Sequence, residues 1–118
     1  MDTRLMYAEF LKSRFDVITA GDGWDALHMM RSGPRPDLVI TDLSLPRLDG
    51  FGLIAAMRED DNLRGLPIIC LSGYGGHAHE QRAKAAGSNR TLQKPCLPEA
   101  LADAAAEMIL EFRERGAG

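Results

Sequence analysis

Short apolar runs alternate along this chain with longer segments in which apolar residues recur at helical spacing. The apolar runs predict four strands, at residues 16–20, 37–42, 67–72 and 91–93. The amphipathic segments predict five helices, at residues 2–14, 24–31, 50–62, 79–86 and 98–113. Because strands and helices alternate, the pattern predicts an α/β fold with a doubly wound parallel sheet.

Composition narrows the class of protein. The 118 residues are enough for a single domain, 1–118, and the formal net charge of −3 gives no basic footprint for nucleic acid. No apolar stretch approaches the roughly 18 residues that a membrane-spanning helix needs, and the first residues lack a signal-peptide pattern. We therefore expect a cytoplasmic protein that binds neither membranes nor nucleic acid. Cys70 and Cys96 lie in unlike contexts and predict neither a disulfide nor a metal site.

Three predicted strands end in polar side chains, namely Asp42, Ser72 and Lys94. In a parallel sheet the carboxyl ends of the strands meet at one edge, which is where ligands bind in such folds. A carboxylate can attack phosphorus as a nucleophile, an ammonium can contact phosphoryl oxygens, and a hydroxyl can donate a hydrogen bond to another oxygen. The trio therefore predicts a site for a phosphoryl group at this edge.

Four stretches around this trio form a recognisable pattern: Ala-Gly-Asp-Gly…Ala-Leu at 20–27, Pro-Asp-Leu-Val-Ile-Thr-Asp at 36–42, Leu-Pro-x-x-Asp-Gly at 45–50, and Lys94-Pro95. With them the chain, from Asp2 to about Arg113, resembles the response-regulator receiver domain of two-component signalling pathways. It implies a flavodoxin-like receiver fold and a cytoplasmic phosphoprotein of a phosphorelay. A sensor histidine kinase or a phosphotransfer protein would be the phosphoryl donor.

The resemblance also implies a role for each site residue. Asp42 is the phosphoacceptor, Ser72 is the switch hydroxyl and Lys94 contacts the phosphate. Mg²⁺ is the implied cofactor, held by Asp42 and by the backbone carbonyl of Ser44. Thr91 stands where the family often has an aromatic residue whose rotation reports phosphorylation, and we group Thr91 with the switch and output residues.

The chain departs from the family at its beginning. The usual first strand and the acidic pair that follows it, which hold Mg²⁺ in the family, have no counterpart before Asp2. In the family's strand order, 2-1-3-4-5, that strand lies between the strands predicted here at 16–20 and 37–42. We therefore expect rearranged strand pairing or strand exchange in a homodimer, and we favour a true start upstream of Met1.

We predict a signalling switch and not an enzyme. Its only chemistry would be the transfer of a phosphoryl group to Asp42 and the autodephosphorylation of Asp42. Output would pass to a downstream protein through the face formed by residues 79–113. The alternative is a degenerate receiver that docks proteins without phosphorylation, because the acidic pair is missing.

Other patterns carry less weight. The stretch Gly73–Ala78 fits a dinucleotide fingerprint but does not follow the first strand of its unit. Asp49 is predicted to cap the helix that starts at Gly50. His77 and His79 lack a third ligand nearby in sequence, so we predict no metal there.

Overall fold

The computed structural model describes residues 3–43, 48–73 and 76–117. Its elements, in chain order, are α1 (Thr3–Leu11), α2 (Gly23–Ser32), β1 (Val39–Asp42), α3 (Gly50–Glu59), β2 (Ile68–Ser72), α4 (Gly76–Ala86), β3 (Arg90–Gln93) and α5 (Pro98–Ala117). Among the described residues, no helix is both long and apolar enough to cross a membrane.

The three strands form one parallel sheet in the order β1-β2-β3. Asp42 pairs with Leu71, and Leu71 pairs with Leu92, so the three strands end close to the same level. Every residue of β2 is buried, as expected for a central strand covered on both faces. The parallel sheet and the five helices of the described chain confirm the predicted α/β class.

The hydrophobic core lies in two clusters, one on each face of the sheet. On one face, α2, α3 and α4 cover the sheet, and the fully buried residues there include Ile54, Met57 and Ala83. On the other face, α1 and α5 supply Tyr7 and Leu101 among others. Because each strand alternates its side chains between these faces, both sides of the sheet are desolvated. This arrangement is the predicted doubly wound fold.

The predicted strand at residues 16–20 is wrong. These residues have no regular secondary structure, although Val17 packs partly against the core cluster of α1 and α5. Ile18 is 73% exposed, which is unusual for an isoleucine in a strand of a covered sheet. Within the described chain, β1 has β2 as its strand neighbour, and β1 forms the edge of the sheet. The Val-Ile-Thr sequence favours a strand only where a neighbour pairs with it, because β propensity depends strongly on context.

This correction reduces the predicted four strands to three among the described residues. Strand exchange in a homodimer stays a prediction, since it concerns a second chain.

Several helix ends differ from the predicted limits. α1 ends at Leu11 instead of residue 14. α3 ends at Glu59 instead of residue 62, because Asp60 begins a turn in which its own carboxylate accepts a hydrogen bond from the Asn62 amide. α5 continues to Ala117, beyond the predicted end at 113. α4 begins at Gly76 and ends as predicted before Gly87, whose φ of 121° is readily adopted only by glycine.

The guanidinium group of Arg58 joins two connections, α3–β2 and α4–β3, at the amino ends of the strands. Arg58, near the end of α3, donates to the carbonyls of Gly87, Arg64 and Leu66 and to the Asn89 side chain at 2.7–3.0 Å. The Asn89 Oδ1 atom also accepts a hydrogen bond from the amide of Ile68, the first residue of β2. Burial lowers the pKa of Arg58. Arginine remains charged at neutral pH, so the group fixes α3 to the turn that ends α4.

We predict that Arg58→Met lowers the free energy of unfolding by about 2–3 kcal/mol, because several partly buried carbonyls lose their donor. Arg115→Met is the matched control: Arg115 pairs with Glu111 on the exposed surface of α5, and such a pair contributes about 0.5 kcal/mol or less. Urea denaturation followed by far-UV circular dichroism measures both. Equal losses in the two variants would contradict a structural role for Arg58.

Candidate functional site

Asp42 and Lys94 form an ion pair at the carboxyl edge of the sheet. The Lys94 ammonium donates a hydrogen bond to Oδ2 of Asp42, and the side chains are 25% and 30% exposed, respectively. The register explains the contact. Asp42 pairs with Leu71 and Leu71 with Leu92, so Asp42 and Leu92 share a face, and Lys94 follows Leu92 by two residues on that face.

Ser72 ends the central strand between these two residues. It is 1% exposed, and its carbonyl accepts a hydrogen bond from the Lys94 amide at 2.8 Å. Its register partner is Gln93. Because side chains alternate along a strand, the Ser72 side chain lies on the face of the sheet opposite to Asp42 and Lys94. That face is covered by α3 and α4. The three predicted residues therefore end three adjacent strands, with Ser72 placed towards α4.

Thr91 lies on β3, on the same face as Ser72. It pairs with Cys70, whereas Ser72 pairs with Gln93, so Thr91 lies two residues earlier, roughly 7 Å along the strand direction. Its side chain is intermediate in exposure. This position under α4 is consistent with the output role predicted for Thr91, and it does not place Thr91 at the Asp42 end of the sheet.

Asp49 and Gly50 bring α3 against the backbone of the predicted phosphoacceptor. The Asp49 carboxylate accepts a hydrogen bond from the Gly52 amide at 2.9 Å, which confirms the predicted cap. The Gly50 amide donates to the Leu43 carbonyl at 3.3 Å, and a Cβ atom on Gly50 would lie 2.5 Å from the carbonyl oxygen of Asp42. Only glycine fits at this close approach. The start of α3 is thus fixed directly beside Asp42.

The segment that follows Lys94 is tied to α1. The Tyr7 hydroxyl donates a hydrogen bond to the Cys96 carbonyl at 2.7 Å, across 89 positions of sequence. Tyr7 is buried in the core cluster that also contains Leu101. The contact orients the chain immediately after Lys94. Sequence reasoning missed it, because the aromatic residue in an amphipathic helix gave no sign of its partner.

The predicted metal site is only partly described. Ser44, expected to supply a backbone carbonyl, lies outside the described residues. Within residues 3–43, 48–73 and 76–117, no group of three or more His, Cys, Asp or Glu side chains is arranged to hold a metal ion. Asp42, the other expected ligand, is paired with Lys94. Of the two expected ligands, the described residues therefore include Asp42.

Comparison with known families shows to which kind of domain the carboxyl edge with Asp42 and Lys94 belongs. Residues 2–106 match the model of the response regulator receiver domain. The chain belongs to this family. It is 33% identical over 97 residues to protein PilG of Pseudomonas aeruginosa, covering 82% of this chain and 71% of PilG. It is 37% identical over 79 residues to a probable chemotaxis protein CheY of Rhizobium etli, covering 67% of this chain and 60% of that protein.

Solved receiver structures have the same fold. The chain superposes on the chemotaxis response regulator CheY4 of Vibrio cholerae with a TM-score of 0.81 at 30% identity, covering 89% of this chain and 88% of that one. A response regulator from Chloroflexus aurantiacus gives a TM-score of 0.85 at 28% identity, covering 91% of this chain and 88% of that one. The flavodoxin-like receiver fold is therefore confirmed.

Membership places the chain in two-component signalling. Receiver domains interact with histidine kinases or phosphotransfer proteins, they act in signalling rather than as metabolic enzymes, and as a family they bind Mg²⁺. The matched segment spans 60% of the length of the Rhizobium etli relative.

We predict that Gly50→Ala destabilises the domain by about 1–3 kcal/mol, because the added methyl group overlaps the Asp42 carbonyl and must displace α3 or β1. Gly65→Ala is the control, since the nearest atom to its added Cβ is the Arg35 Nη2 atom at 3.5 Å. We expect that control to change stability by about 0.5 kcal/mol or less. Thermal and urea unfolding measure both variants, and an undisturbed Gly50→Ala would contradict the close approach of α3 to Asp42.

Proposed function

We propose that this chain is a phospho-accepting receiver in which Asp42 takes a phosphoryl group from a phosphohistidine on a sensor histidine kinase or a phosphotransfer protein. The observation that supports the proposal most strongly is the Lys94 ammonium on the Asp42 carboxylate at the carboxyl edge of the sheet. A paired carboxylate and ammonium at a strand end have structural roles in many proteins. Here the pair occurs in a receiver domain, at the predicted acceptor.

The proposed transfer needs no oxidant and no co-reactant beyond the donor. A carboxylate oxygen of Asp42 bonds to phosphorus as the phosphorus–nitrogen bond of the donor breaks, and the electron pair of that bond returns to the imidazole nitrogen. The product is an acyl phosphate on Asp42. Attack of water on phosphorus then breaks the bond to the carboxylate oxygen, which releases inorganic phosphate and regenerates Asp42.

Lys94 and Ser72 act on the phosphoryl oxygens in this proposal. The Lys94 ammonium moves from the carboxylate to a phosphoryl oxygen, where it offsets the negative charge of the transferred group. The Ser72 hydroxyl donates to another phosphoryl oxygen, which requires the end of β2 to move towards Asp42. Because Ser72 leaves the sheet on the α4 side, this movement is the step that carries the signal away from the site.

The Asp42 carboxylate and the Ser44 backbone carbonyl would hold Mg²⁺, which would supply positive charge beside the phosphoryl group. Ser44 lies outside the described residues. The transfer and hydrolysis steps are therefore assigned to the chain's own side chains.

Output is proposed to reach a downstream protein through the face formed by α4, β3 and α5, residues 79–113. This face carries the exposed Leu110 of α5, at 60% exposure, and an ion pair between Arg90 of β3 and Glu107 of α5. Phosphorylation can shift this face between two conformations only if the phosphoryl group interacts more favourably with one conformation than with the other.

We predict that the protein gains the mass of one phosphoryl group when incubated with acetyl phosphate and Mg²⁺, and that Asp42→Asn does not. Intact-protein mass spectrometry measures the gain. Asp49→Asn is the matched control: it removes a nearby carboxylate while keeping a side chain that caps α3, so it should be phosphorylated like the wild type.

The same experiment separates the proposal from its alternative. Absence of a mass gain at millimolar Mg²⁺ would contradict the phospho-accepting function and would favour a receiver that docks proteins without phosphorylation. A gain that persists in Asp42→Asn would show that another side chain is the acceptor.

A further inference from the structure

α4 is attached to the domain by few apolar contacts. Its sequence, Gly-His-Ala-His-Glu-Gln-Arg-Ala-Lys-Ala-Ala, is mostly polar. Among its described side chains, Ala83 alone is buried, and His79 and Ala86 are intermediate in exposure. Helices in globular proteins gain most of their stability from packing an apolar face, and α4 packs little. Its position therefore depends on a small number of contacts with neighbouring elements.

One of these contacts is made by the ring of Phe51 in the first turn of α3. The guanidinium carbon of Arg82 lies 3.9 Å from the centroid of the Phe51 ring, and the His79 ring meets the same ring edge to face at 5.9 Å and 79°. Phe51 is only 9% exposed, so the ring is largely shielded from water, which strengthens its attraction for the cation. We refer to Phe51, His79 and Arg82 together as the α3–α4 contact.

Phe51 has a fixed position relative to Asp42. It follows Gly50, whose backbone packs against the Asp42 carbonyl oxygen so closely that no side chain fits between them. The cap formed by Asp49 fixes the same turn of α3. The backbone of Phe51 is therefore fixed beside the Asp42 end of the sheet, and the Phe51 ring contacts His79 and Arg82 of α4.

The far end of α4 is held more firmly. Arg58, on the same helix as Phe51, donates two hydrogen bonds to the Gly87 carbonyl directly after α4, at 3.0 and 2.8 Å. Charge-assisted hydrogen bonds to a carbonyl fix geometry more strictly than an exposed arginine stacked on a ring. If α4 moves, the α3–α4 contact is the one that opens, and Gly87 is the point about which the helix turns.

We propose that the α3–α4 contact restrains α4 in the unmodified protein and that phosphorylation of Asp42 signals by opening it, with Phe51 and Arg82 as positioning residues. This inference rests on the proposed function. Ser72 ends β2 and Gly76 begins α4, so a movement of Ser72 towards the phosphoryl group is passed to the first turns of α4, where His79 and Arg82 meet Phe51. Because coupling between sites is reciprocal, the contact also opposes phosphorylation.

Hydrogen–deuterium exchange of the α4 amides, residues 76–86, tests the inference in the full chain. Arg82→Gln removes the exposed cation from the ring, and Lys84→Gln removes an exposed cation from the same helix without touching Phe51. In the unmodified proteins we expect several-fold faster α4 exchange in Arg82→Gln than in the wild type and in Lys84→Gln. After treatment with acetyl phosphate and Mg²⁺, wild-type exchange should rise to the level of Arg82→Gln, which should change little.

Phe51→Leu tests the α3–α4 contact independently, because it keeps an apolar side chain but removes the ring. Phe112→Leu is its control, since Arg115 stacks on Phe112 at 4.9 Å within α5, away from α4. Phe51→Leu should behave like Arg82→Gln, and Phe112→Leu like the wild type.

The outcomes distinguish this inference from the proposed function. Equal α4 exchange in unmodified wild type, Arg82→Gln and Phe51→Leu would overturn the restraint. A phosphoryl mass gain without faster α4 exchange in the wild type would overturn its release while leaving the proposed function intact. Absence of any mass gain would overturn the proposed function and, with it, the release step. The exchange rates of the unmodified proteins would still decide whether the α3–α4 contact restrains α4.

Discussion

The ion pair between Asp42 and Lys94 is the interaction on which the account of this protein depends. It exists because three parallel strands end at nearly the same level and because Asp42 and Lys94 leave the sheet on one face. A shift of one residue in either strand pairing would move one of the two side chains to the other face and separate them. The buried strand β2 sets that register from the centre of the sheet, and Ser72 at its end directs the third polar group towards α4.

Sequence reasoning predicted that these residues lie at strand ends because they follow strong local signals. Asp42 and Ser72 end runs of β-branched and apolar residues, and Gly87 and Asp49 mark helix ends by well-understood turn and cap chemistry. The prediction failed at residues 16–20, whose Val-Ile-Thr sequence looks like a strand but has no strand structure in the described chain. Strand formation requires a neighbour, and a local pattern cannot say whether one is in reach.

The contacts of Arg58, Tyr7 and Arg82 were not predictable for a related reason. Each joins residues that are distant in sequence or on different elements, and each side chain taken alone fits an ordinary amphipathic helix. These contacts nevertheless decide how the elements around the acceptor edge are held. Arg58 fixes the end of α4, Gly50 fixes the start of α3 beside Asp42, and Phe51 joins the two helices. Through Gly50, Phe51 and Arg58, α3 therefore contacts both the backbone of Asp42 and the α4 region.

We propose that Asp42 is the residue that carries the phosphoryl group. The most direct measurement treats the phosphorylated protein with borohydride, which reduces an aspartyl phosphate to homoserine, and then maps the modified residue by peptide mass spectrometry. We expect homoserine at position 42 and an unchanged aspartate at position 49. Homoserine at another position, or no homoserine after complete reaction with a phosphoryl donor and Mg²⁺, would contradict it.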